Sequence, residues 1–150
     1  KGTGSDASYI APKGKVAVAF PISLISGVAG ALRDGDTVDL MASYDIVATG
    51  ASATGGAKKS VTQMTLQDVE ILKVGSWVTA ASGEAQPQAN VITFLVNRQD
   101  ALVLKFLRET STSVDLALRA AGDHEVVTSE PVIIDYIDGR FNFNGLLRGK

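Results

Sequence analysis

Apolar positions along the chain fall in short blocks separated by glycine-rich and polar stretches, the rhythm of a sheet protein. Residues 15–22 are rich in β-formers and meet a proline near their end, which suits a strand leaving a sheet. Ile25, Val28 and Leu32 follow at near-helical spacing. Gly27 and Gly30 each cost roughly 1 kcal/mol relative to alanine in a helix, so only a short helical turn is predicted there. Arg33, Asp34, Gly35 and Asp36 carry turn chemistry, because glycine accepts positive φ and aspartate bonds backbone two residues on. Partial alternation from Val38 through Asp39 towards Val47 predicts a half-buried strand. Residues 61–66 and 69–74 read as further strands, with Gln67-Asp68 marking a bend or bulge and Gly75 closing the second.

A strand over 91–96 leads into Asn97, a good N-cap, with Asp100 where a first-turn carboxylate favours the helix dipole. Ala101, Leu104 and Leu107 at helical spacing then predict one clear helix over about 98–109. Residues 114–119 alternate as a strand. After a polar connector at 120–130, residues 131–137 read as one more strand, and Asp138-Gly139 opens a turn into an edge hairpin at 141–144. Residues 48–60 and 79–90 are too poor in apolar bulk to order themselves and read as flexible loops. The fold class is α+β, mainly β: short strands in a small mixed sheet with one helix. A flexible lead at 1–14, a domain at 15–119 and a C-terminal extension at 120–150 are the expected divisions.

Composition narrows the function. The 150 residues are 45% hydrophobic and 20% charged with a net charge of −2, an ordinary single domain. A near-balanced charge and a pI of about 5.3 argue against a nucleic-acid partner, which normally meets clustered Lys and Arg. Cysteine is absent, which removes disulfides, thiolate metal sites and cysteine nucleophiles together. The apolar stretch from Val16 to Leu32 is broken by Pro21, Ser23, Ser26, Gly27 and Gly30, so no run approaches the ~18 residues of a membrane span. A polar opening without a basic-then-apolar layout reads as that of an excised piece, with any membrane anchor or export signal upstream of it.

Candidate chemistry is sparse. His124 stands alone on the polar connector, where acid–base or metal work would need distant partners. Asp34, Asp36 and Asp39 form the densest carboxylate group, but turn formation explains them better than a hard cation, since the loop lacks EF-hand periodicity. Gly50 and Gly55 begin like a phosphate loop, yet Gly56 and Ala57 stand where its Lys and Ser or Thr are required. Trp77, Phe141 and Phe143 offer a stacking or interaction surface, with packing as the plainer reading. No catalytic, metal or cofactor-binding residue is assigned and no cofactor is expected.

Several segments in order carry a resemblance: residues 14–20, 26–40, 66–75 and 91–96, then Asp100-Ala101 and 116–119. Together they resemble the Flp pilus assembly family CpaB/RcpC of the tight-adherence secretion system, most strongly in the Gly27-Val28-Ala29-Gly30 to Gly35-Asp36-Thr37-Val38-Asp39 block. Where the family has a proline before Gly-Asp this chain has Asp34, which makes the turn less rigid. The resemblance implies a β-clip-like fold, residues 9–22 ending an SAF-type segment, and no enzymatic activity. It further implies an extracytoplasmic, periplasmic-side scaffold of the cell envelope, anchored by an upstream N-terminal helix. The expected partners are other pilus-assembly proteins, a secretin among them. A module binding peptidoglycan or another carbohydrate is the alternative.

Overall fold

The computed structural model describes residues 8, 10–47, 58–77 and 91–143. The predicted loop at 79–90 lies outside the described residues, as do 1–7 and 48–57. Five strands form one sheet: β1 (Lys15–Pro21), β2 (Thr37–Val47), β3 (Lys58–Val74), β4 (Val91–Asn97) and β5 (Ser113–Leu118). Their spatial order is β1-β4-β3-β2-β5, and every neighbouring pair is antiparallel, so the sheet is not mixed. Residues 58–60, expected in a loop, belong to β3.

Helix α1 (Arg98–Thr110) starts where the sequence marks it. The Asn97 side chain accepts the Asp100 N–H at 2.8 Å, satisfying one of the first turn's orphan donors. Leu104 and Leu107 are its buried residues, while Leu102 and Phe106 remain exposed. Alternation on the strands then decides the core. Val38, Leu40 and Ala42 of β2, Val69 and Ile71 of β3, and Ile92, Phe94 and Val96 of β4 join the two helix leucines in one apolar cluster. Phe20 of β1 closes against Phe94 with ring centroids 5.9 Å apart. Burying each large side chain of this kind contributes roughly 1.5–3 kcal/mol.

Strand β3 stays on the core only because its register slips. Val38 pairs with Val69 and Leu40 with Leu66, so one β2 residue, Asp39, stands opposite Gln67 and Asp68 together. That is a bulge, and it keeps Leu66 and Val69 on the same face despite their odd separation. Asp68 takes φ +56°, and its N–H is received by Asp39 Oδ1 at 2.9 Å. A second slip lies between Leu40 and Met41, where the Thr65 hydroxyl donates to the Leu40 carbonyl at 3.0 Å.

The C-terminal part departs from the predicted strand and hairpin. Val132 makes a single bridge to Thr62, and residues 134–141 form a second helix, α2 (Ile134–Phe141). The isoleucine-rich run suggests a strand by propensity, but Ile134, Ile137 and Phe141 also repeat at helical spacing. Asp135 in the first turn and Arg140 in the last suit the helix dipole. Asn142 ends the helix in the left-handed region, its N–H returning to the Asp138 carbonyl at 2.6 Å. Phe141 therefore belongs to a helix and not to an edge hairpin. No helix among the described residues is long and apolar enough to cross a membrane.

Candidate interaction surface

The polar residues singled out in the sequence are held by the sheet's own backbone. In the turn that follows a 3₁₀ segment at Val28–Gly30, Asp36 Oδ2 accepts the Arg33 N–H at 2.7 Å, and Gly35 adopts φ +88°. The Gly35 N–H and the Asp36 carbonyl then pair with Ile71, each at 2.8 Å, which ties the turn to β3. Asp34 receives the Val74 N–H at 2.6 Å and lies 3.8 Å from the Lys73 ammonium. Arg33 donates to the carbonyls of Gly30 and Leu32. The three carboxylates thus face different donors. Among the described residues no group of three or more His, Cys, Asp or Glu is arranged to hold a metal ion.

Asp39 is separate from that turn. Its carboxylate accepts from Arg119 Nη1 at 2.8 and 3.0 Å in addition to the bulge N–H of Asp68. The Arg119 side chain is only 6% exposed and that of Asp39 13%. The other side of the guanidinium serves the C-terminal segment. Nε and Nη2 donate to the Asp123 carbonyl and carboxylate at 3.0 Å each, and Nη2 also donates to the Glu125 carbonyl. The hydrogen bond that it donates to Asp39 is the largest influence holding the Arg119 guanidinium above its ordinary pKa. The Asp123 carboxyl is held below its ordinary value, first by the Glu125 N–H and then by Arg119. His124, with its ring exposed, has Nδ1 2.8 Å from Asp68 Oδ1.

Beyond this hub the segment runs beside β3. Gln67 accepts the Val127 N–H at 3.0 Å and donates to the Val127 carbonyl at 2.8 Å, so its amide stands in for a strand's peptide group. Thr62 and Val132 exchange both backbone bonds, at 2.9 and 2.7 Å. The two anchors are five positions apart on β3 and five on the C-terminal segment, so both belong to one antiparallel register. Residues 127–132 therefore lie as an incomplete sixth strand, bonded at its two ends.

The predicted aromatics do not converge. Trp77 follows the C-terminal end of β3, where its indole N–H donates to the Thr93 hydroxyl at 2.9 Å and Lys73 stands 5.6 Å from the ring centroid. Phe141 and Phe143 lie at the end of α2 with centroids 6.1 Å apart, and the Arg140 guanidinium carbon is 5.6 Å from the Phe141 ring. The segment leading into α2 meets β3 at Thr62, far along the strand from Val74.

The sheet edges differ in accessibility. On β5, Leu116 donates to the Ser26 carbonyl at 3.1 Å, so the connection between β1 and β2 covers part of that edge. On β1, Pro21 has no N–H to offer and Lys15 donates to the Pro12 carbonyl at 3.1 Å, which limits the open window to its middle.

A family model described as Flp pilus assembly protein RcpC/CpaB matches residues 5–119. The chain belongs to the RcpC/CpaB family of Flp pilus assembly proteins. The match takes in all five strands, α1 and the hub arginine, and ends at Arg119 itself. No curated protein and no solved structure matches the chain. The RcpC/CpaB region thus holds Arg119, Asp68 and Gln67, while Asp123, His124 and Val127, which bond to them in that order, follow it. Sequence reasoning missed this junction. Its one local signal is Asp39 itself, a charge between the buried Val38 and Leu40 of a strand.

Proposed function

We propose that this RcpC/CpaB chain is a non-enzymatic, extracytoplasmic scaffold module of the Flp pilus assembly machinery, binding other assembly proteins through its exposed strand edges and apolar surface. Family membership over residues 5–119 carries the reading. The architecture supports it. A five-stranded sheet with one helix across the core leaves Leu24, Ile25, Leu102 and Phe106 on its surface, and binding by strand addition needs only backbone at an edge. The domain at 15–119 is the module in this reading. The 120–150 extension, with Phe141 and Phe143, and the Trp77 corner supply further contact surface. The full-length protein is held at the periplasmic side by an N-terminal helix upstream.

A pull-down from envelope extract of a piliated bacterium, with the 150-residue chain as bait, tests this beside co-sedimentation with purified sacculi. The expected result is recovery of pilus-assembly proteins, the secretin among them, with no sacculus binding. Sedimentation with sacculi that is lost in Trp77→Ala or Phe143→Ala, without any pilus protein recovered, would overturn the scaffold in favour of a wall-binding module.

A further inference from the structure

The incomplete strand beside β3 stops before the β3 edge does. Thr62 turns its N–H and carbonyl outward to Val132, and residues two apart on a strand point the same way, so Ser60 and Lys58 also present backbone groups on that side. The residues that would continue the ladder are 134 and 136. At Ile134, however, the chain becomes helical and leaves the edge. The divergence opens a groove of about 430 Å³ between the edge of β3 and the start of α2. Lys58, Lys59 and Ser60 form its strand wall, and Val132, Ile134 and Ile137 supply apolar surface opposite. Among the described residues neither lysine forms an ion pair, and Asp135 is the one acidic residue of the lining.

We propose that this groove is a strand-addition site for an extended segment of a partner protein that alternates acidic and apolar residues. The segment pairs antiparallel with the outward backbone of Ser60 and Lys58, continuing the ladder that Val132 begins. Its apolar side chains lie against Ile134 and Ile137, and its carboxylates, which share one face, meet one of the two lysines, since Lys58 and Lys59 project from opposite faces of β3. Backbone pairing supplies the affinity and that lysine selects the charge. The site does not depend on the pilus reading, since it is defined by the edge and its chemistry alone.

Three blocked octapeptides test it on the isotope-labelled 150-residue chain by NMR. One alternates Asp and Val, the second has Lys for Asp, and the third is the Asp/Val peptide N-methylated at every second residue. The Asp/Val peptide is expected to slow hydrogen exchange at the Lys58 and Ser60 amides and to shift the Ile134 and Ile137 methyl signals. Lys58→Glu combined with Lys59→Glu, both on exposed side chains, is expected to weaken it about tenfold. The methylated and lysine peptides should fail to protect those amides. Equal binding by the Lys peptide, equal binding by the methylated peptide, or unchanged exchange at Lys58 and Ser60 under saturating Asp/Val peptide would each overturn the proposal. The methylated peptide keeps the test decisive on the native chain should the double variant misfold.

Discussion

Replacing Asp39 with alanine is the sharpest probe of how the C-terminal segment is joined to the sheet. The substitution removes an acceptor that takes two bonds from Arg119 and one from the Asp68 N–H. Breaking a buried ion pair from one side costs about 3–5 kcal/mol, and an orphaned backbone donor about 1–3 kcal/mol. Asp123 and two carbonyls still engage the guanidinium, and the segment can open to admit water, so the net loss should lie near the bottom of that scale, about 3 kcal/mol. Urea unfolding should show a lower midpoint with an unchanged slope. Hydrogen exchange should quicken first at Val127 and Val132, whose amides hold the segment to β3. Adding Arg119→Met to Asp39→Ala should recover part of the stability, because it removes the uncompensated charge. A midpoint within experimental error of the parent, or a double variant less stable than Asp39→Ala, would refute the assignment of Asp39 as the anchor.

Further outcomes follow from the same geometry. Phe94→Ala empties a fully buried site beside Phe20 and should cost about 3–5 kcal/mol in chemical denaturation. Asn97→Ala removes the N-cap of α1 and should cost about 1 kcal/mol, read as a lower melting temperature, with Asn97→Asp close to the parent. The Asp123 carboxyl has a folded pKa below its unfolded value of 3.8, so its contribution is complete above that value and lost as pH falls through the folded pKa. Docking of residues 123–127, followed by amide chemical shifts, should therefore hold from pH 5 to 8 and loosen only below about pH 4.

Most of the sheet is legible in the sequence because each strand's burial follows from its neighbours along the chain. Richness in β-formers marks β1, alternation marks β2 and β5, and Gln67-Asp68 between two apolar runs marks the bulge in β3. The N-cap and its following carboxylate locate α1 almost to the residue. Helix α2 is not legible in the same way: an isoleucine-rich run satisfies both periods over so short a length, and the chain's departure from β3 decides between them. The Asp39–Arg119 junction joins residues 80 apart, a pairing that no local pattern encodes. Asp39 reads as part of the turn because it lies three positions from Asp36, yet on the strand its carboxylate takes Arg119 and the Asp68 N–H and no donor of the turn.

The strand order also sets how tension would travel. The two edge strands, β1 and β5, run parallel to each other on opposite sides of the sheet, since four antiparallel steps separate them. A pull applied at the start of β1 and the end of β5 therefore enters at one corner and leaves at the diagonal corner. Each ladder is loaded lengthwise, across hydrogen bonds that lie perpendicular to the strands, so many bonds must yield together. The segment beyond β5 meets force differently: its bonds at Val127 and Val132 can be peeled singly. Traction on the C-terminal side would thus strip the incomplete strand while the sheet stays intact, baring the edge of β3 as a function of load.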